Sequence, residues 1–215
     1  KKYGFDDYGK MLFGFVDGSR SIIYDVDDPV LQCEYYYGTN DDGAMHIGWL
    51  KYLDGMTDDT YDDEFYYFYF GKDGKKVVNQ EKKISGKKYS FDTNGVMNSE
   101  WEGTSMANYK YFSAKDDGSL KKRAWVYAVP SEEINAKDHD EDNYRWFYVN
   151  ADGTLVHDVV KSVNSKYYVF DDCGRMKTGL VWLSTEAAKG STYKSKVDQD
   201  VDKADNLYAT DSTYG

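Results

Sequence analysis

Residues Lys87–Trp101 read KKYSFDTNGVMNSEW. Tyr89 and Phe91 alternate with Lys88 and Ser90, so an extended chain has one aromatic and one polar face here. Asn94-Gly95 supplies the positive φ of a tight reversal, and Met97 returns across the aromatic face. The stretch predicts a β-hairpin, and a single hairpin is at best marginally stable in water. It must be one unit of a stack.

The unit recurs along the chain. A glycine, usually after Asp or Asn, stands at Gly9, Gly43, Gly74, Gly95, Gly118, Gly153 and Gly174. Six residues before each comes an aromatic: Tyr3, Tyr37, Phe68, Tyr89, Phe112, Phe147 and Tyr168. Two residues after come Met11, Met45, Lys76, Met97, Leu120, Leu155 and Met176, apolar except for the lysine. Six after come Phe15, Trp49, Gln80, Trp101, Ala124, Val159 and Leu180. The pattern predicts an all-β solenoid of about seven stacked β-hairpin repeats over residues 1–183, each repeat touching its neighbours. Residues 184–215 lose the pattern and are expected to be a polar tail or the start of a further repeat. Spacings between anchor glycines run from 21 residues (Gly74 to Gly95) to 35 (Gly118 to Gly153). The extra length falls in acidic segments such as LDGMTDDTYDDE and VPSEEINAKDHDEDN, expected as surface loops joining one hairpin to the next.

Composition agrees. There are 22 Tyr and 19 Gly against 2 Pro, which suits short strands and glycine turns better than long helices. With 38 acidic and 27 basic residues, the chain lacks the cationic surface that nucleic acid or anionic lipid requires. No apolar run reaches the roughly 18 residues of a membrane span. No signal peptide opens the sequence, which starts abruptly inside a hairpin pattern, as a piece of a longer protein would. Cys33 and Cys173 lie several repeats apart and are expected to be free thiols.

YSFDTNGVMNSEW, YYVFDDCGRMKTGL and YYYGTNDDGAMHIGW resemble the cell-wall-binding repeats of Gram-positive surface proteins: an aromatic strand, an Asp-Gly or Asn-Gly turn, then Met and Thr-Gly-Trp. That superfamily includes choline-binding modules, glucan-binding repeats and the repetitive oligopeptides of clostridial toxins. The resemblance implies a secreted, cell-wall-associated module without catalysis or cofactor, whose partner is a polysaccharide or wall glycan, or choline. Choline-binding members cage the cation between the Gly-Trp tryptophan, the residue opening the aromatic strand, and an aromatic of the next hairpin. By analogy such a cage is confined to Trp49 with Tyr36 and Tyr67, or Trp101 with Tyr111; Lys2 and Lys88 at the strand-opening position would repel a cation. The mixture of long and short repeats looks more like the glucan-binding arrangement. That points to shallow aromatic grooves near Trp49, Tyr66, Tyr67 and Tyr69, and near Trp125, Tyr127, Tyr144 and Trp146. The contrasting reading is a structural spacer or protein-binding stalk, which would bury Trp49, Trp101 and Trp146 between repeats.

Most of the aromatics are expected to be structural, since a chain poor in aliphatics has little else with which to build its core. The acidic clusters Asp25, Asp27 and Asp28, Asp58–Glu64, and Asp138–Asp142 lack defensible calcium spacing and read as solvated loops. Asp198, Asp200 and Asp202 begin like an EF-hand, but Lys203 and Ala209 stand where Gly and Glu are needed. His46, His139 and His157 form no zinc-protease pattern, and no nucleophile elbow or phosphate loop is present.

Overall fold

The computed structural model describes residues 1–24, 26–53 and 65–179. Residues 184–215, the acidic cluster at 58–64 and Leu180 lie outside them. The described chain is all-β, built from stacked hairpin repeats, with six two-stranded antiparallel ladders. β1 (Phe15–Val16) pairs with β2 (Tyr35–Tyr36), β3 (Gly48–Tyr52) with β4 (Tyr66–Phe70), and β5 (Gln80–Ile84) with β6 (Lys87–Phe91). β7 (Glu100–Glu102) pairs with β8 (Lys110–Phe112), β9 (Ala124–Ala128) with β10 (Arg145–Val149), and β11 (Val159–Val163) with β12 (Lys166–Phe170).

This pairing corrects the hairpin drawn from the sequence. The main partner of an aromatic strand is the strand before it: Phe91 stands opposite Gln80, and Tyr89 opposite Lys82. The glycine turn closes only one bridge, Phe91 to Met97, repeated at Phe5–Met11, Phe70–Lys76, Phe112–Leu120, Val149–Leu155 and Phe170–Met176. The Met segment is instead the stitch between repeats. Met45 N–H donates to the Lys2 carbonyl, Lys76 to Glu34 and Met97 to Tyr67, each at 2.8 Å. Leu155 N–H likewise donates to Tyr109 at 2.8 Å and Met176 to Trp146 at 2.7 Å.

The long segments change place accordingly. Those between β1 and β2 and between β9 and β10 are hairpin tips, not linkers between hairpins, whereas β5–β6 and β11–β12 close through the two-residue turns Ser85-Gly86 and Asn164-Ser165, whose φ values are positive at both residues as tight hairpins require. Two tips contain helices that the sequence reading took as loop: α1 (Pro29–Gln32) and α2 (Glu132–Asp140). α2 is broken at Asn135, whose φ of -159° and ψ of 99° are extended and not helical. Asp138, 2% exposed, accepts hydrogen bonds from Arg145 (3.1 and 2.8 Å) and Arg175 (3.0 Å). Burial pushes its carboxyl upward, but those two guanidiniums outweigh it and hold the pKa down at about 2.

The described residues form two compact units, 1–99 with 114–119, and 100–113 with 120 onward. The first packs Val30, Cys33, Tyr66, Phe68, Phe70 and Val96 in one cluster and Val77, Ile84, Tyr89, Phe91 and Met97 in another. The second packs Tyr109, Val126, Ile134, Phe147 and Leu155, and separately Tyr148, Val156, Val163 and Phe170. Phe68, Phe70, Phe112, Phe147 and Phe170 are fully buried. Truncating any one to Ala would cost about 3 to 5 kcal/mol.

Anchor glycines are held by two constraints. Gly74 has φ +84° and a Cβ there would lie 2.3 Å from Met45 Sδ of the preceding repeat; Gly118 has φ +59° and would meet Met97 Cε at 2.3 Å. Where lysine replaces the methionine, at Lys76, the stem lies 3.1 Å from the Cβ position of Gly95. Its Nζ donates to the Val30 and Leu31 carbonyls at 2.6 and 2.8 Å, in the last turn of α1, where a cation is favoured. Burial lowers the Lys76 pKa, with Cys33 and Asp92 opposing. Burial also pushes the Cys33 thiol up to about 11. Both cysteines are free.

Candidate functional site

Side chains two residues apart on a strand share a face, so β3 presents Trp49 and Lys51 together, and β4 presents Tyr67 and Tyr69. Trp49 pairs across the ladder with Tyr69 and Lys51 with Tyr67. The Trp49 ring meets Tyr69 at 5.1 Å, Tyr89 at 4.9 Å and Phe91 at 5.8 Å, all packing contacts. It also forms an open right-angled corner with Tyr67, centroids 6.3 Å apart and planes at 87°.

The second unit repeats this geometry. Trp125 pairs with Tyr148 and Tyr127 with Trp146. Trp125 meets Tyr148 at 5.1 Å, Tyr168 at 4.7 Å and Phe170 at 5.9 Å, and makes its corner with Trp146 at 6.2 Å and 88°. Beside that corner, Tyr127 lies on Trp146 at 4.9 Å and 35°, and on Tyr144 at 5.3 Å and 36°. Trp146, Tyr127 and Tyr144 are 45%, 55% and 56% exposed. Three rings, each tilted by 35° or 36° to its neighbour, thus form a stripe open to solvent.

Trp101 occupies the same lattice position against Tyr111 (4.9 Å) and Phe147 (4.8 Å). Its indole N–H is committed to the Val129 carbonyl at 2.7 Å, and Tyr109, which would supply the corner, is buried. Burial raises the Tyr111 hydroxyl pKa, helped by Glu100 and Tyr144. Tyr36 is stacked on Phe15 at 4.7 Å in the β1–β2 ladder and belongs with that pair, not with Trp49.

Two register shifts explain what the spacing missed. After Tyr37 and Phe112 the turn closes i to i−4 (Gly43 to Thr39, Gly118 to Ala114), whereas the others close i to i−3. Hence Tyr36 and Tyr111 are equivalent to Tyr69, and the true strand-opening residues there are Glu34 and Tyr109. Repeats anchored at Gly74, Gly118 and Gly153 also carry one more residue before the ladder, so the Gly-Trp position falls on Glu81, Trp125 and Val160, opposite Ser90, Tyr148 and Val169. Gln80, Ala124 and Val159 are one residue early. Tyr89 and Tyr168, the packing floor under Trp49 and Trp125, were not singled out as site residues; their constant place six residues before an anchor glycine was the available signal.

No family model matches the chain, and no curated protein matches its sequence. Solved structures do match in fold. CbpJ of Streptococcus pneumoniae TIGR4 superposes with a TM-score of 0.52 at 17% identity, over 85% of this chain and 51% of that one. CbpF in complex with ipratropium superposes with a TM-score of 0.52 at 19% identity, over 92% of this chain and 59% of that one. The autolysin LytC of Streptococcus pneumoniae is aligned over 90% of this chain and 37% of its own, with a TM-score of 0.49 and 20% identity. The chain therefore spans between about a third and three fifths of these proteins. The fold is the stacked-hairpin fold that CbpJ and CbpF share, as the repeat motifs indicated.

Proposed function

We propose that this chain is a non-catalytic wall-binding module acting at the cell surface, which holds a cell-wall glycan on the stripe formed by Tyr144, Tyr127 and Trp146. The observation that carries the reading is a row of three exposed rings in mutual contact, tilted by 35° and 36° to one another. Sugar rings offer C–H faces that stack on such a surface, and large aromatic rings supply most of the energy at small binding patches. A spacer would have no use for this arrangement.

A second reading rests on a separate observation, the right-angled corner of Trp125 and Trp146, a geometry that fits a quaternary ammonium against two ring faces. One titration separates them: tryptophan fluorescence followed against solubilised wall glycan, dextran and choline chloride. Binding of glycan that falls at least about tenfold, roughly 1.4 kcal/mol, in Tyr127→Ala and Trp146→Ala establishes the stripe. Choline binding lost in Trp125→Ala and Trp146→Ala but kept in Tyr144→Ala would establish the corner. No response to any of the three refutes both.

A further inference from the structure

We infer that Lys51 closes the first of two equivalent aromatic faces, so that only the Trp125–Trp146 face of this chain takes a ligand. The inference rests on the aromatic-face reading above. It comes from superimposing ladder registers: Trp49, Lys51, Phe65 and Tyr67 occupy the positions of Trp125, Tyr127, Tyr144 and Trp146. The two corners agree to 0.1 Å and 1°. Three of the four residues differ, and the middle one differs most in chemistry: Lys51 stands where the second face has Tyr127.

On the second face Tyr127 bridges Trp146 and Tyr144 ring to ring. On the first, Lys51 Nζ stands 3.8 Å from the Phe65 centroid and 5.6 Å from that of Tyr67. The lysine thus places the chain's own cation over Phe65 and within cation–π reach of Tyr67, one of the two walls of the corner. An ammonium there satisfies the ring quadrupole, and a second cation would have to displace it against Coulomb repulsion. A neutral sugar fares no better, because the central ring of the platform is missing and Phe65 stands edge-on to Tyr67, at 81°. Lys51 is therefore a specificity-determining residue: of the two equivalent faces among the described residues, it leaves one to take a ligand.

The test is isothermal titration of the whole chain with choline chloride and with solubilised wall glycan. Wild type should bind one equivalent of at least one probe, and Trp146→Ala none. Adding Lys51→Tyr to Trp146→Ala should restore one equivalent to within about tenfold of wild-type affinity, with Trp49 fluorescence now responding. Lys51 is exposed and Trp146 nearly half so; an unchanged cooperative unfolding midpoint in denaturant verifies folding, and Lys51→Ala alone supplies a milder variant whose gain of a second equivalent of choline would also support the inference. Two equivalents on wild type, or silence of the double variant while wild type binds one, overturns the role of Lys51 and leaves the second face intact. Failure of wild type to bind either probe overturns the aromatic-face reading and this inference with it.

Discussion

Replacing Asp138 by Asn tests whether the long tip between β9 and β10 is held by charge. The carboxylate is buried and receives three hydrogen bonds from Arg145 and Arg175. Its pKa falls from the ordinary 3.8 to about 2, and at 1.36 kcal/mol per unit that is worth about 2 to 3 kcal/mol at neutral pH. The guanidiniums are 44% and 23% exposed and regain water when released. The cost of Asp138→Asn therefore stays near 2 kcal/mol, below the 3 to 5 kcal/mol of breaking a wholly buried pair. For a chain of this size the melting temperature should drop by about 4 to 8 °C. Because the folded pKa is depressed, the stabilisation is complete above the unfolded value and disappears as pH falls through the folded one. The gap between wild type and Asp138→Asn, followed by circular dichroism, should be full at pH 7 and shrink steadily between pH 4 and pH 2. A variant as stable as wild type at pH 7, or a gap undiminished at pH 2, would refute the reasoning.

Three further outcomes are expected from denaturant unfolding and thiol chemistry. Gly74→Val should cost about 2 to 4 kcal/mol, combining a strained φ with a clash on Met45, whereas Gly86→Ala, with φ +88° but nothing within 4 Å, should cost only about 1 to 2 kcal/mol. Lys76→Met should leave stability within about 1 kcal/mol of wild type, since a buried cation exchanged for an apolar side chain of similar length is often neutral; Lys76→Ala, which empties the space beside Gly95, should lose about 2 kcal/mol or more. Cys33, buried with its pKa pushed up to about 11, should resist a thiol reagent at pH 8 until the chain is unfolded, while the half-buried Cys173 reacts first.

The repeat was legible in the sequence because its two rarest requirements leave marks: a positive φ that selects glycine, and a core of rings spaced at a fixed distance from it. Strand pairing was not, because the alternation of Tyr89 and Phe91 says which face is buried but not which neighbour supplies the ladder. The choice went to the preceding strand once the Met97 amide was taken by Tyr67 of the next repeat down. Trp125, Tyr127, Tyr144 and Trp146 were grouped as one groove from the sequence, yet the ladder register that pairs them depends on a one-residue offset after Gly118 that fixed spacing could not register. α2 was hidden because four polar or charged residues in its middle carry no apolar stripe; only Ile134 and Asp138 are buried. Asp138, counted among the solvated acids, is the most deeply buried charge among the described residues of its unit because Arg145 and the sequence-remote Arg175 neutralise it.

The segments that carry α1 and α2 leave the chain at the tips of their ladders, and each is tied to the repeat after it: the carbonyls of Val30 and Leu31 receive Lys76, and Asp138 receives Arg175. Insertion and stacking are therefore coupled. A lineage that lengthened or exchanged one of these tips would have to refit its neighbour as well, so that new recognition at the surface is acquired together with a change in the frame beneath it.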